Sequence, residues 1–76
     1  MKTDYKFIHF DWAINDNVYL VRNNKTKGII GCLEFYKPWR QWVLSAIETA
    51  VFNDQCLKDI VHFMGQLKEK TKEANH

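Results

Sequence analysis

The stretch Gly28–Leu44, GIIGCLEFYKPWRQWVL, decides the fold. Its first half is rich in β-branched and aromatic residues. Alternation puts Ile29, Gly31, Leu33 and Phe35 on one face and Ile30, Cys32, Glu34 and Tyr36 on the other. Lys37-Pro38 then turns the chain, because proline fixes φ and has no N–H to offer a ladder. The return strand is RQWVLSA, residues 40–46. Together these segments read as a β-hairpin with an aromatic turn. Gly31 weakens a strand interior and marks either a bulge or close packing of a ring across the sheet.

Upstream lies the polar loop Asn23-Asn24-Lys25-Thr26-Lys27-Gly28, in which Asn24 or Gly28 is expected to take a positive φ. It is preceded by VYLVR (18–22), a β-branched and aromatic strand, and by the turn formers Asn15, Asp16 and Asn17. YKFIHFDW (5–12) reads as the first strand. Ile8, Phe10 and Trp12 share one of its faces, and Tyr5, Phe7 and His9 the other.

Downstream, Asn53 and Asp54 suit a helix start, and a helix is expected over about 54–70. Leu57, Ile60, Val61, Met64 and Leu67 recur at helical spacing, with Cys56 and Phe63 widening the stripe. Lys58, Asp59, His62 and Gln66 fall on the opposite face, and Lys68, Lys70 and Lys72 suit the C-terminal end of the dipole. Residues 47–52 either extend the sheet or staple the helix start, and 72–76 form a frayed tail. The architecture expected is α+β, ββββα: one domain over 1–76, a four-stranded antiparallel meander with one C-terminal helix on one face. The connections are too short for parallel crossovers. The other sheet face is left to water, a partner or a second copy.

Composition narrows the function classes. A chain of 76 residues has room for one small core, which 14% aromatic content helps to fill. A formal charge of +2 is too balanced for a general nucleic-acid or membrane-surface binder. No apolar run reaches the length of a membrane span, and residues 1–5 have no signal-peptide character, so a cytoplasmic protein without a membrane partner is expected. Cys32 and Cys56 lack CxxC or Cys/His spacing and read as buried thiols.

Catalytic signals are weak. His9 and Asp11 can share a strand face, but no nucleophile or third member accompanies them. His62 and His76 are scattered, Ser45 has no nucleophile-elbow context, and Gly28 and Gly31 make no phosphate loop. No enzyme, cofactor or metal site is expected. The candidate partner-binding residues are Tyr36, Lys37, Trp39, Arg40 and Trp42, which crowd one end of the hairpin, with Tyr5 and Tyr19 as additions from neighbouring strands. Three readings stand beside one another. Trp39 and Trp42 fill the core; the cluster is a protein-interface hot spot; or the rings stack single-stranded bases while Lys and Arg hold phosphates.

The segments Phe35-Tyr36-x-x-Trp39-Arg40-Gln41-Trp42 and Cys56-Leu57-x-Asp59-Ile60, within a match over Val18–Leu67, resemble a group of short proteins encoded by phages and prophages. The group's layout is WY..WRQYVF followed by TVFS..CL.DI..F; here Trp42 stands where Tyr is usual, and Asn53 where Ser caps the helix. The resemblance brings no catalytic residues. It implies a small non-enzymatic viral protein that binds and inhibits a host or defence protein, or a nucleoprotein complex, in the manner of anti-CRISPR inhibitors. The alternative is a single-stranded nucleic-acid-binding module using exposed aromatics. A homodimer burying the open sheet face is a third option.

Overall fold

The computed structural model describes the backbone of residues 1–74 and the side chains of residues 1–70. Strands β1 (Ile8–Ala13), β2 (Val18–Asn23), β3 (Ile29–Tyr36) and β4 (Gln41–Ala46) precede helix α1 (Asp54–Ala74). The strands form one antiparallel sheet in the order β1-β2-β3-β4, so the ββββα meander is the fold. The expected frayed tail is helical as far as Ala74, and residues 75–76 lie outside the described residues.

β1 starts at Ile8 rather than residue 5 because the chain before it folds back along its outer edge. Tyr5 N–H donates to Ile8 O at 2.9 Å, and Phe10 N–H to Thr3 O at 3.0 Å. Each hairpin turn holds one residue at positive φ: Asn17 (55°), Lys27 (65°) and Arg40 (53°). In the second loop that residue is Lys27, not Asn24 or Gly28. Asn23 explains why: its Oδ1 accepts from Lys25 N–H and Thr26 N–H, and its backbone O from Lys27 N–H, which winds the loop so that the left-handed turn falls at Lys27.

Gly31 lies beside the expected bulge, but what approaches it closely is the backbone of β4 rather than a ring, and the bulge corrects the expected faces by packing Ile30 against the core and leaving Ile29 exposed. The β2–β3 register shifts between Val21 and Arg22, beside the Val21–Gly31 pair. A Cβ at Gly31 would also lie 2.8 Å from Ser45 O and 3.2 Å from Ala46 Cα, so β4 approaches only because no side chain is there.

The core is one layer between sheet and helix. Ile8, Phe10, Val21 and Leu33 meet Cys56, Ile60, Phe63 and Leu67. Phe63 is its keystone: it stacks on Phe10 at 4.0 Å and meets Tyr19 edge-on at 5.0 Å. This fixes the rotation of α1 and corrects the expected stripe. Cys56, Ile60, Phe63 and Leu67 point inward, whereas Leu57 is exposed and Val61 is 68% exposed. Asp59, expected on the solvent face, is 8% exposed. Asn53 caps the helix, its Oδ1 accepting from Cys56 N–H at 2.8 Å. Residues 47–52 do not extend the sheet; they make a turn closed by Ala50 N–H to Ile47 O, with Phe52 packed against the core. No helix among the described residues is long and apolar enough to cross a membrane.

Candidate contact surface at the aromatic end of the sheet

The turn Lys37–Arg40 is closed by Trp39 N–H to Tyr36 O at 3.2 Å and Arg40 N–H to Lys37 O at 3.1 Å. Proline at position 38 suits such a turn, and Arg40 completes it in the left-handed region, at a cost of about 1–2 kcal/mol for a residue with a Cβ. The geometry lifts Trp39 to the tip, where it is 65% exposed. Its ring meets Tyr36 edge-on at 5.1 Å, so the indole is propped rather than loose. Lys37 and Arg40 are exposed on either side of it.

The five candidate residues do not form one patch. Tyr36 pairs with Gln41 across the hairpin and Phe35 with Trp42, which puts Tyr36 and Trp42 on opposite faces of the sheet. Trp42 is half-buried on the helix-bearing face and packs against the core. Tyr36, Lys37, Trp39 and Arg40 therefore make the exposed corner, and Trp42 lies on the other face of the sheet.

Trp42 belongs to a row of rings that was not foreseen from sequence. Trp12 meets Tyr19 at 4.8 Å, Tyr19 meets Trp42 at 6.2 Å, and Trp42 meets Phe35 edge-on at 5.9 Å. The row crosses all four strands, and its outer members, Trp12 and Phe35, are exposed. Alternation placed Trp12 on the Phe10 face, but only cross-strand register brings it to Tyr19. Of the five candidate residues Tyr19 meets Trp42, on the helix-bearing face, and it stands on the opposite face from Tyr36. Tyr5 does not join that row: its ring meets Phe10 and His62 instead. Most sheet aromatics lie on the helix-bearing face, while the open face carries Val18, Leu20, Cys32 and Val43 between polar residues.

Two polar clusters hold the remaining titratable groups. In the first, Asn24 Nδ2 donates to Tyr5 O and Lys6 O, so its Oδ1 accepts from His9 Nδ1 at 2.6 Å. Asp11 Oδ2 lies 3.5 Å from His9 Nε2 and accepts from Arg22 Nε at 2.9 Å. In the second, Gln66 Nε2 donates to the Tyr5 hydroxyl at 3.4 Å, and that hydroxyl shares a hydrogen bond with His62 Nδ1 at 2.7 Å. Burial, and secondarily Asp59, pushes the Tyr5 hydroxyl above its ordinary pKa, which keeps it a donor. Asp59 Oδ1 accepts from Gln55 at 2.8 Å, while its buried Oδ2 has no partner among the described residues. Both clusters tie the N-terminal segment to the sheet or the helix. Among the described residues, no serine, threonine or cysteine is a hydrogen-bond partner of His9 or His62.

The Cys32 thiol is pushed up by burial first and then by Glu34, which keeps it neutral. No group of three or more His, Cys, Asp or Glu among the described residues is placed to hold a metal ion. Comparison with protein-family models, with curated proteins and with solved structures finds no match to this chain.

Proposed function

We propose that this chain is a small binding protein that occludes a host or defence protein, with Tyr36, Lys37, Trp39 and Arg40 as the contact corner. The observation that carries the reading is the indole of Trp39, held out at the tip of a rigid turn and braced by Tyr36. An exposed tryptophan flanked by tyrosine and arginine is the composition of interface hot spots, where aromatic anchors enter pockets on the partner. A tight turn presents it with little entropy left to lose on binding. The inhibitory role and the viral setting rest on the likeness of the 35–42 and 56–60 segments to phage-encoded chains.

The test is a Trp39→Ala/Arg40→Ala double variant. Both side chains are exposed, so the fold persists, and circular dichroism checks that it does. Partner capture is lost in the folded variant; full capture rules out the corner.

The ring row of Trp12, Tyr19, Trp42 and Phe35 favours one other reading, a stacking platform for single-stranded nucleic acid. That reading requires an affinity that falls steeply with salt, because each neutralised phosphate releases counterions. Binding that is flat in salt removes it.

A further inference from the structure

Helix α1 carries one glycine, Gly65, and nothing in the fold of the single chain requires it. It is exposed, its φ is not positive, and a Cβ built there would meet no atom within 4 Å. Glycine inside a helix is a net loss against alanine, so the space it leaves is unexplained by the monomer.

Four more exposed residues share its side of the helix. At 3.6 residues per turn, Asp54, Leu57, Val61, Gly65 and Lys68 lie within about 40° of one line along α1, roughly a third of a turn from the buried Cys56, Ile60, Phe63 and Leu67. Met64 borders this line, half-buried. Val61 and Gly65 also line a groove that Met1, itself exposed, helps to form. The line reads acidic, apolar, apolar, glycine, basic. Its ends carry opposite charge, and neither Asp54 nor Lys68 has an ion pair among the described residues of its own chain.

We propose that α1 packs antiparallel on α1 of a second copy about a two-fold axis at Val61. Such an axis sets positions equidistant from Val61 against each other. Asp54 meets Lys68 of the second copy, at both ends of the seam. Leu57 falls on Gly65 of the second copy, and the missing side chain is the space its branched end enters. Val61 meets Val61. All these residues lie within α1, so the helix itself fixes their spacing.

The charges select this arrangement. A parallel pair would set Asp54 on Asp54 and Lys68 on Lys68, and would align the two helix dipoles. An antiparallel axis at Phe63 would set Lys58 against Lys68 and Leu57 against Glu69. An axis at Asp59 would set Lys68 against Ala50, beyond the start of the helix. A second copy supplies the required charge order by symmetry. The seam is a single helix face, small beside standard interfaces, so the pair belongs to high micromolar concentration and the single chain to the low micromolar concentrations of optical unfolding. It uses none of Tyr36, Lys37, Trp39 or Arg40 and so stands apart from the contact corner.

The test is sedimentation equilibrium of the purified full chain at low ionic strength, from low to high micromolar concentration, where a monomer–dimer equilibrium is expected. Asp54→Lys and Lys68→Glu each turn two attractive pairs repulsive and raise the dissociation constant by about tenfold. The Asp54→Lys/Lys68→Glu double variant restores it to within about twofold, the signature of direct coupling. Gly65→Leu separates interface from fold. It meets open space in the single chain and is the better helix former, so the melting temperature at low micromolar concentration rises while the dissociation constant rises by about tenfold or more. Circular dichroism checks each variant, and if a charge variant unfolds, Gly65→Leu decides alone. A parent chain that sediments as a monomer at high micromolar concentration overturns the proposal. So does a dimer that Gly65→Leu leaves intact, or one that both charge reversals leave unchanged.

Discussion

Phe63→Ala removes the keystone of the core and tests the rotation assigned to α1. The ring is fully buried, stacked on Phe10 at 4.0 Å and edge-on to Tyr19 at 5.0 Å. Truncating such a ring costs about 3–5 kcal/mol, since the lost transfer energy is joined by a cavity that rigid neighbours cannot close. A domain of 76 residues has roughly 4–11 kcal/mol in total, so one substitution removes about a quarter of it or more. Urea unfolding followed by tryptophan fluorescence and far-ultraviolet circular dichroism reads the loss. With a slope of about 1 kcal/mol per molar for so small a chain, the midpoint falls by roughly 3–5 M, or the variant is unfolded without urea. Val61→Ala is the matched control. It sits in the same apolar helical pattern but is 68% exposed, so its midpoint stays put or rises slightly through better helix propensity. Equal losses for the two variants would refute the assigned rotation.

Two further substitutions probe other parts of the account. Gly31→Ala places a Cβ 2.8 Å from Ser45 O, a backbone atom that cannot yield cheaply, and costs about 1–3 kcal/mol in the same unfolding assay. A neutral Gly31→Ala would mean that β4 does not approach β3 so closely. The raised pKa of Tyr5 means that the folded state favours the neutral hydroxyl. Its contribution is complete below the ordinary value near 10 and is lost as pH rises through the folded value. In a Cys32→Ser background, because the Cys32 thiol is raised too and acts with the same sign, Tyr5→Phe flattens the fall in melting temperature above that pH. An unchanged slope contradicts the assignment.

Much of this fold was legible in the sequence because local chemistry and tertiary need coincide. The alternation from Gly31 to Tyr36, the Lys37-Pro38 turn and the Asn53 cap each specify one backbone conformation and are found in place, whereas the bulge puts Ile29 on the Arg22 face and packs Ile30 against the core, which alternation alone could not show. Where two solutions share one local pattern, the sequence does not choose. Leu57 and Val61 are as apolar as Ile60 and Leu67, and only the hollow between Phe10 and Tyr19, which admits Phe63, selects the rotation. Nothing local marks Asp59 as buried, since its spacing is that of a solvent-facing residue. The candidate site was half visible. Tyr36, Trp39 and Arg40 adjoin in sequence and in space, but the split of Tyr36 from Trp42 depends on which residues close the turn. The ring row depends on register across three hairpins, so pairs such as Trp12 and Tyr19 become neighbours only once the sheet is assembled.

The central claim is that the exposed corner around Trp39 is a binding surface for a protein partner. Its most direct test is affinity capture from bacterial lysate by the tagged chain and by its Trp39→Ala/Arg40→Ala variant, each with and without nuclease, read by mass spectrometry. The account predicts a stoichiometric protein that survives nuclease and is absent from the folded variant's capture. Equal capture by both chains, or a capture that nuclease abolishes, would contradict it.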